Sequence, residues 1–293
     1  MIFDIAHKTT YTYSRPVFLE LHHLRLRPRC DGVQHVTCFD SKIEPRPSGS
    51  ADGLDIDGNI VENVWFQGLT EQLIVESRAK VATQYRNPFN YILAERADRL
   101  PVSYQDPIQC YLAPYTARRN ESHLVEQFAR HIANTTEWKT LRFLTALNRE
   151  IYECCRQIPR GHGAAQSAEE TLLCKCGCSR DLALLFMESC RYVGIAARFV
   201  NGYHESDGET DSLSIHSWSE VYLPGVGWRG YDPSQGLAVT DRHVALAAAG
   251  IPLLAAPVAG TFRGNAVNPE LKAAIDIRVT GDGAMAAAGG AVW

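Results

Sequence analysis

The chain has no run of basic residues, and over its 293 residues the formal charge is −4 with a pI near 6.2. The phosphate-neutralising surface that nucleic-acid binding requires is therefore missing. No apolar stretch approaches the ~20 residues that span a bilayer, so no membrane partner is expected. The start, MIFDIAHKTTYTYS, lacks a basic segment followed by an apolar one, and a cytoplasmic location is the expectation. No internal repeat is found. Nine cysteines, an odd number without an export signal, are expected as free thiols. With 45% hydrophobic and 21% charged residues the chain is neither disordered nor fibrous, and its length is that of two domains.

From Phe3 to about Ala82, short β-branched or alternating runs such as Thr9 to Tyr13, His35 to Phe39 and Leu73 to Val75 are separated by turn residues, which predicts an antiparallel, sandwich-like β-domain. Between Asn87 and Tyr115 four prolines and little periodicity mark a connection. After Asn120 the period becomes helical: Leu124, Phe128 and Ile132, then Leu144, Leu147, Ile151 and Cys154. Asp181 to Val193 is apolar on nearly every side and predicts a buried helix. Three strand-like runs follow, at residues 196–203, 215–223 and 228–231. The class is α+β, with an N-terminal domain over 1–100, a core over 101–265, and a C-terminal strand with a poorly ordered Gly/Ala-rich tail over 266–293.

Gly177-Cys178-Ser179-Arg180-Asp181 opens the buried helix. Unpaired N–H groups and the positive end of the macrodipole favour an anion there, lowering a thiol's pKa and offering donors to an oxyanion. Asp181 is read as a first-turn carboxylate complementing the dipole. His216 lies in an alternating strand, and Asp232 follows after a hairpin. Nucleophile, base and orienting acid thus occur in that order. Strand parity tests the set, because opposed residues share a face. Pairing 223 with 228 would put Asp232 on the face away from His216, whereas pairing 222 with 228 puts both on one face, which the triad requires.

Four blocks, Gly177 to Ala183, Ala197 to Tyr203, His216 to Val221 and Gly227 to Pro233, together resemble the bacterial transglutaminase-like, cysteine-protease-like family. His7 to Tyr13 with Pro16-Val17, His23 to Pro28 and Asp57-Gly58-Asn59 resemble its N-terminal β-domain. The resemblance implies a papain-like core, His216 as general base, Asp232 as its orienting carboxylate, and acyl transfer from a peptide or amide substrate. The family places its cysteine directly before the Arg-Asp pair; here that position is Ser179, with Cys178 one residue earlier. Three readings stay open. Ser179 is the nucleophile and depends wholly on His216; Cys178 is the nucleophile, rotated by roughly 100° and shifted about 1.5 Å along the helix; or the serine inactivates a site that still binds its partner.

No cofactor or metal is expected. Cys174, Cys176 and Cys178 depart from the spacing of structural zinc sites, so free thiols are the simpler reading even with Cys154, Cys155 or His162 nearby. His162, His204 and His243 lack the company that makes His216 a candidate. Trp218, Trp228 and Tyr231 are read as core or cleft-wall aromatics, and Glu220 as lining the cleft or facing solvent.

Overall fold

The computed structural model describes residues 1–84, 87–119, 121–161, 163–205 and 215–280; His162 and the Gly/Ala-rich end lie outside them. Five strands open the chain: β1 (Ile2–Leu24), β2 (Gln34–Glu44), β3 (Gly49–Leu54), β4 (Ile60–Trp65) and β5 (Thr70–Thr83). The expected connection contains a helix, α1 (Ile108–Thr116), which forms despite Pro114. Tertiary contacts outweigh its weak local pattern: Leu112 is buried, the Tyr115 ring packs 5.1 Å from that of Trp228, and the Tyr115 hydroxyl donates to Asp57 at 2.6 Å.

The helical periods appear as α2 (His123–Thr135) and α3 (Thr140–Cys154). Ser122 caps α2 by accepting the Val125 N–H, while Val125, Ala129, Ile132 and Ala133 form its buried stripe. A two-residue strand, β6 (Arg156–Gln157), precedes α4 (Ala168–Cys174), and its partner β7 (Cys176–Gly177) leads into α5 (Ser179–Tyr192). Every residue of α5 from Asp181 onward is buried, as an all-round apolar pattern requires. Buried Arg191 pins its end, donating to the carbonyls of Ala197 at 2.8 Å and Gly250 at 2.7 Å.

The remaining strands of the core are β8 (Ala197–His204), β9 (His216–Leu223), β10 (Gly227–Asp232), β11 (Leu237–Ala238) and β12 (His243–Ala249), antiparallel in the order β11-β10-β9-β8-β12. The chain then returns to its beginning. β13 (Val258–Arg263) pairs with the second half of β1, and β14 (Pro269–Thr280) runs along the first half. On the other edge of β1 lie β5 and, further on, β4. Phe3, Ile5, Ala79, Val81 and Ile277 form one apolar cluster with Tyr203, Val244 and Leu246, so the N-terminal sheet and the core share buried surface. The architecture is α+β.

Tyr222 pairs with Trp228 and Tyr231 with Ser219, which is the register that puts Asp232 on the His216 face. That face is concave. Three strand spacings separate β10 from β12, about 14 Å in a flat sheet, yet Asp232 and His243 are hydrogen-bonded. Close approach of backbones allows the curl: β12 is mostly alanine, and Gly202 in β8 sits where a Cβ would lie 2.2 Å from the Val244 carbonyl and 2.5 Å from the Trp218 ring. Gly202→Ala should therefore destabilise the protein by about 3 kcal/mol, read from urea unfolding. A change within ~0.5 kcal/mol would show that the curl does not depend on this contact.

Candidate functional site

Asp232 is fully buried at the end of β10. An ionised carboxylate out of water needs several donors, and Asp232 has four. His216 Nε2 lies 2.7 Å and His243 Nε2 3.1 Å from Oδ2, while the Ser234 N–H and hydroxyl donate to Oδ1 at 3.0 and 2.7 Å. Burial alone would raise the Asp232 carboxyl, but the charge of His216 and hydrogen bonds from both imidazoles outweigh it and hold the group well below the usual carboxylate range. The Thr240 N–H donates to His243 Nδ1 at 3.4 Å, which makes Nε2 the protonated nitrogen of His243 and hence a donor to Asp232. With His216 Nε2 engaged by the carboxylate, Nδ1 is the nitrogen that can serve a nucleophile.

These positions correct the reading of His204 and His243 as histidines without company. His243 shares the carboxylate, and the His204 ring lies 4.5 Å from that of His243 and 5.3 Å from that of His216. Burial, with repulsion from the other two, pushes His204 down to about 3, so it is neutral. Nothing local announces either residue, because they meet His216 only through the β12–β8–β9 pairing. Ser234 had a signal in Asp232-Pro233-Ser234, where an aspartate accepts from the backbone two residues on. The donor atoms of His216, Asp232 and His243 lie within 4.8 Å of one another, a spacing that fits a metal ion. The tautomer of His243, however, turns an N–H and not a lone pair toward the carboxylate, so the arrangement is one of hydrogen bonds.

On the other side, Ser179 is the first residue of α5 and is buried, as is Cys178. Asp181 does more than complement the dipole. Its carboxylate accepts the N–H groups of Cys178 at 2.8 Å and Gln166 at 2.7 Å and pairs with Arg160, fixing the loop that carries both candidate nucleophiles. The Arg160 guanidinium also lies 3.7 Å from Cys178 Sγ. Two contacts orient α5 on β9: Ser219 donates to the Ala183 carbonyl at 2.7 Å, and Arg191 reaches Ala197, which pairs with Val221. The helix thus runs with the strand, and its first turn projects toward the strand's beginning, where His216 lies. Arg180 and Ile215, the sequence neighbours of Ser179 and His216, line one cavity of about 360 Å³.

The aromatics act as packing groups. Trp218 is buried beside His243, Tyr231 stacks on Phe186, and Trp228 lies under the Arg198 guanidinium. Glu220, partly exposed, forms an ion pair with Arg198 at 2.6 Å. All nine cysteines are free thiols.

Residues 126–233 match the transglutaminase-like superfamily, and residues 3–82 match the bacterial transglutaminase-like N-terminal region. An uncharacterized protein of Mycobacterium leprae is 24% identical over 266 residues, covering 89% of this chain and 92% of its own. One of Mycobacterium tuberculosis is 22% identical over 288 residues, covering 94% and 92%. The crystal structure of a candidate cysteine protease from Cytophaga hutchinsonii is similar in fold, with a TM-score of 0.72 at 20% identity over 96% of this chain and 91% of that one. No helix among the described residues is long and apolar enough to cross a membrane.

One titration follows from the cavity wall. His7, bonded to the hydroxyls of Tyr203 at 2.9 Å and Thr9 at 3.1 Å, is lowered by burial from 6.5 to about 4. Between those values the unfolded chain binds a proton at residue 7 and the folded chain does not, so stability rises with pH by about 1.4 kcal/mol per unit and is lost as pH falls towards 4. Urea unfolding of His7→Gln should show a pH dependence flatter by that slope, and a curve parallel to the parent's would reject the assignment.

Proposed function

Since this chain belongs to the transglutaminase-like superfamily and carries a bacterial transglutaminase-like N-terminal region, we propose that it transfers acyl groups from peptide or amide substrates, with Ser179 as nucleophile, His216 as base and Asp232 as orienting carboxylate. The observation that carries this reading is the 2.7 Å His216–Asp232 hydrogen bond in a buried site, on the face and in the register the chemistry needs. The substrate carbonyl binds at the start of α5. His216 Nδ1 takes the Ser179 proton as Oγ attacks, and the imidazolium that forms is stabilised by Asp232 through Nε2. The tetrahedral oxyanion develops near the helix N-terminus, and the proton passes from His216 to the departing amine. Water or a second amine then releases the acyl group by the same steps in reverse. A hydroxyl is far less acidic than a thiol, so all of its activation must come from His216.

Mass spectrometry after treatment with a fluorophosphonate and with iodoacetamide tests the assignment. Fluorophosphonate should modify Ser179, His216→Ala should abolish the modification, and Asp232→Asn should slow it roughly 10²- to 10⁴-fold. Modification of Cys178 in its place would move the nucleophile one residue back. If neither residue reacts in the parent, and His216-dependent alkylation appears only in Ser179→Cys, the cleft is a binding site that the serine has silenced.

A further inference from the structure

The cavity lined by Arg180 and Ile215 has one charge in an otherwise neutral lining. Its walls come from β1 and β14 on one side, Gly161, residues 163–165 and α5 on another, and Phe199, Ile215 and the 252–258 segment on the rest. Most of these groups are apolar or small. His7 is neutral at physiological pH, because burial lowers it to about 4, and burial, with repulsion from Tyr13, raises Tyr11 to about 12. Among the described lining residues Arg180 alone carries a formal charge. Among the described residues its guanidinium makes one hydrogen bond, from Nη2 to the Arg160 carbonyl at 2.7 Å, its buried Nε has no acceptor, and no carboxylate pairs with it. The nearest acid along the chain, Asp181, is already paired with Arg160.

A half-buried guanidinium with no counter-ion among the described residues, lining an apolar cavity and adjacent in sequence to Ser179, selects its ligand. We infer that this cavity takes a peptide segment presenting an apolar side chain with a carboxylate beside it, the carboxylate docking on Arg180. The inference deepens the acyl-transfer reading by naming its substrate class, but the binding event itself needs no turnover. An amide or an ammonium in the same place would leave the Arg180 charge unpaired or repelled. The carboxylate can be a chain terminus or an acidic side chain, and both present the same two oxygens to the guanidinium.

Ligand-observed NMR titration with three small probes tests this: N-acetyl-leucine, its amide, and N-acetyl-leucyl-aspartic acid α-amide, whose only carboxylate is the side chain. The expected result is that one or both carboxylate probes bind roughly tenfold or more tighter than N-acetyl-leucinamide; which of them does so tells whether a terminus or a side chain is read. Arg180→Gln should erase the preference and Arg180→Lys should restore part of it, with circular dichroism confirming that each variant is folded. Equal binding of the probes, or a preference that survives in Arg180→Gln, overturns the inference. The outcome is separable from the chemistry. A carboxylate preference without Ser179 labelling leaves the site and removes the enzyme, whereas labelling without the preference does the reverse.

Discussion

A single buried carboxylate sets the terms for the rest of the core. Asp232 can stay ionised away from water only because four donors reach it, two of them imidazoles on strands that a flat sheet would hold far apart. The sheet must curl for His243 to arrive, and the curl in turn needs backbones to pass closely. Alanines along β12 and the missing side chain at Gly202 supply that closeness. The polar centre and the packing around it are thus one constraint. Removing a donor would strand the charge, and adding a methyl at Gly202 would push apart the strands that deliver the donors.

The helix that opens with Ser179 is governed by the same rule. It is buried on all sides, so its polar side chains must find partners inside the protein. Arg191 caps two carbonyls from different segments, Ser219 ties β9 to the helix backbone, and Asp181 holds the preceding loop with Arg160 as its counter-charge. These contacts fix where the first turn points. Burying Asp181 beside Arg160 also leaves the charges at the helix start nearly balanced, so the guanidinium of Arg180, which no carboxylate among the described residues pairs, stands out against a neutral background.

Much of this was legible in sequence wherever the signal was local. Helical periods gave α2 and α3, an all-round apolar run gave α5, and strand parity left two hairpin registers, of which the one the triad requires, with Asp232 on the His216 face, is the one formed. The unread parts depend on partners distant in the chain. His243 and His204 look like isolated strand histidines until β12 is paired with β8, and α1 forms in a proline-bearing stretch because Tyr115 finds Asp57 and Trp228. The length of β1 was equally hidden. A strand of 23 residues serves different partners along its two halves, and no short alternating run shows where one set ends.

The exchange of Cys178 and Ser179 is then a question of direction before it is one of reactivity. Cys178 occupies the residue before the helix, its N–H taken by Asp181 and its sulfur beside Arg160. Ser179 begins the helix itself, roughly 100° further round. One imidazole nitrogen, fixed by its opposite nitrogen's bond to Asp232, cannot serve both directions. The proposed nucleophile at Ser179 and the alternative at Cys178 are therefore mutually exclusive. Because Asp232 is held by His243 and Ser234 as well as by His216, the His216 imidazole keeps its orientation whichever side chain it meets.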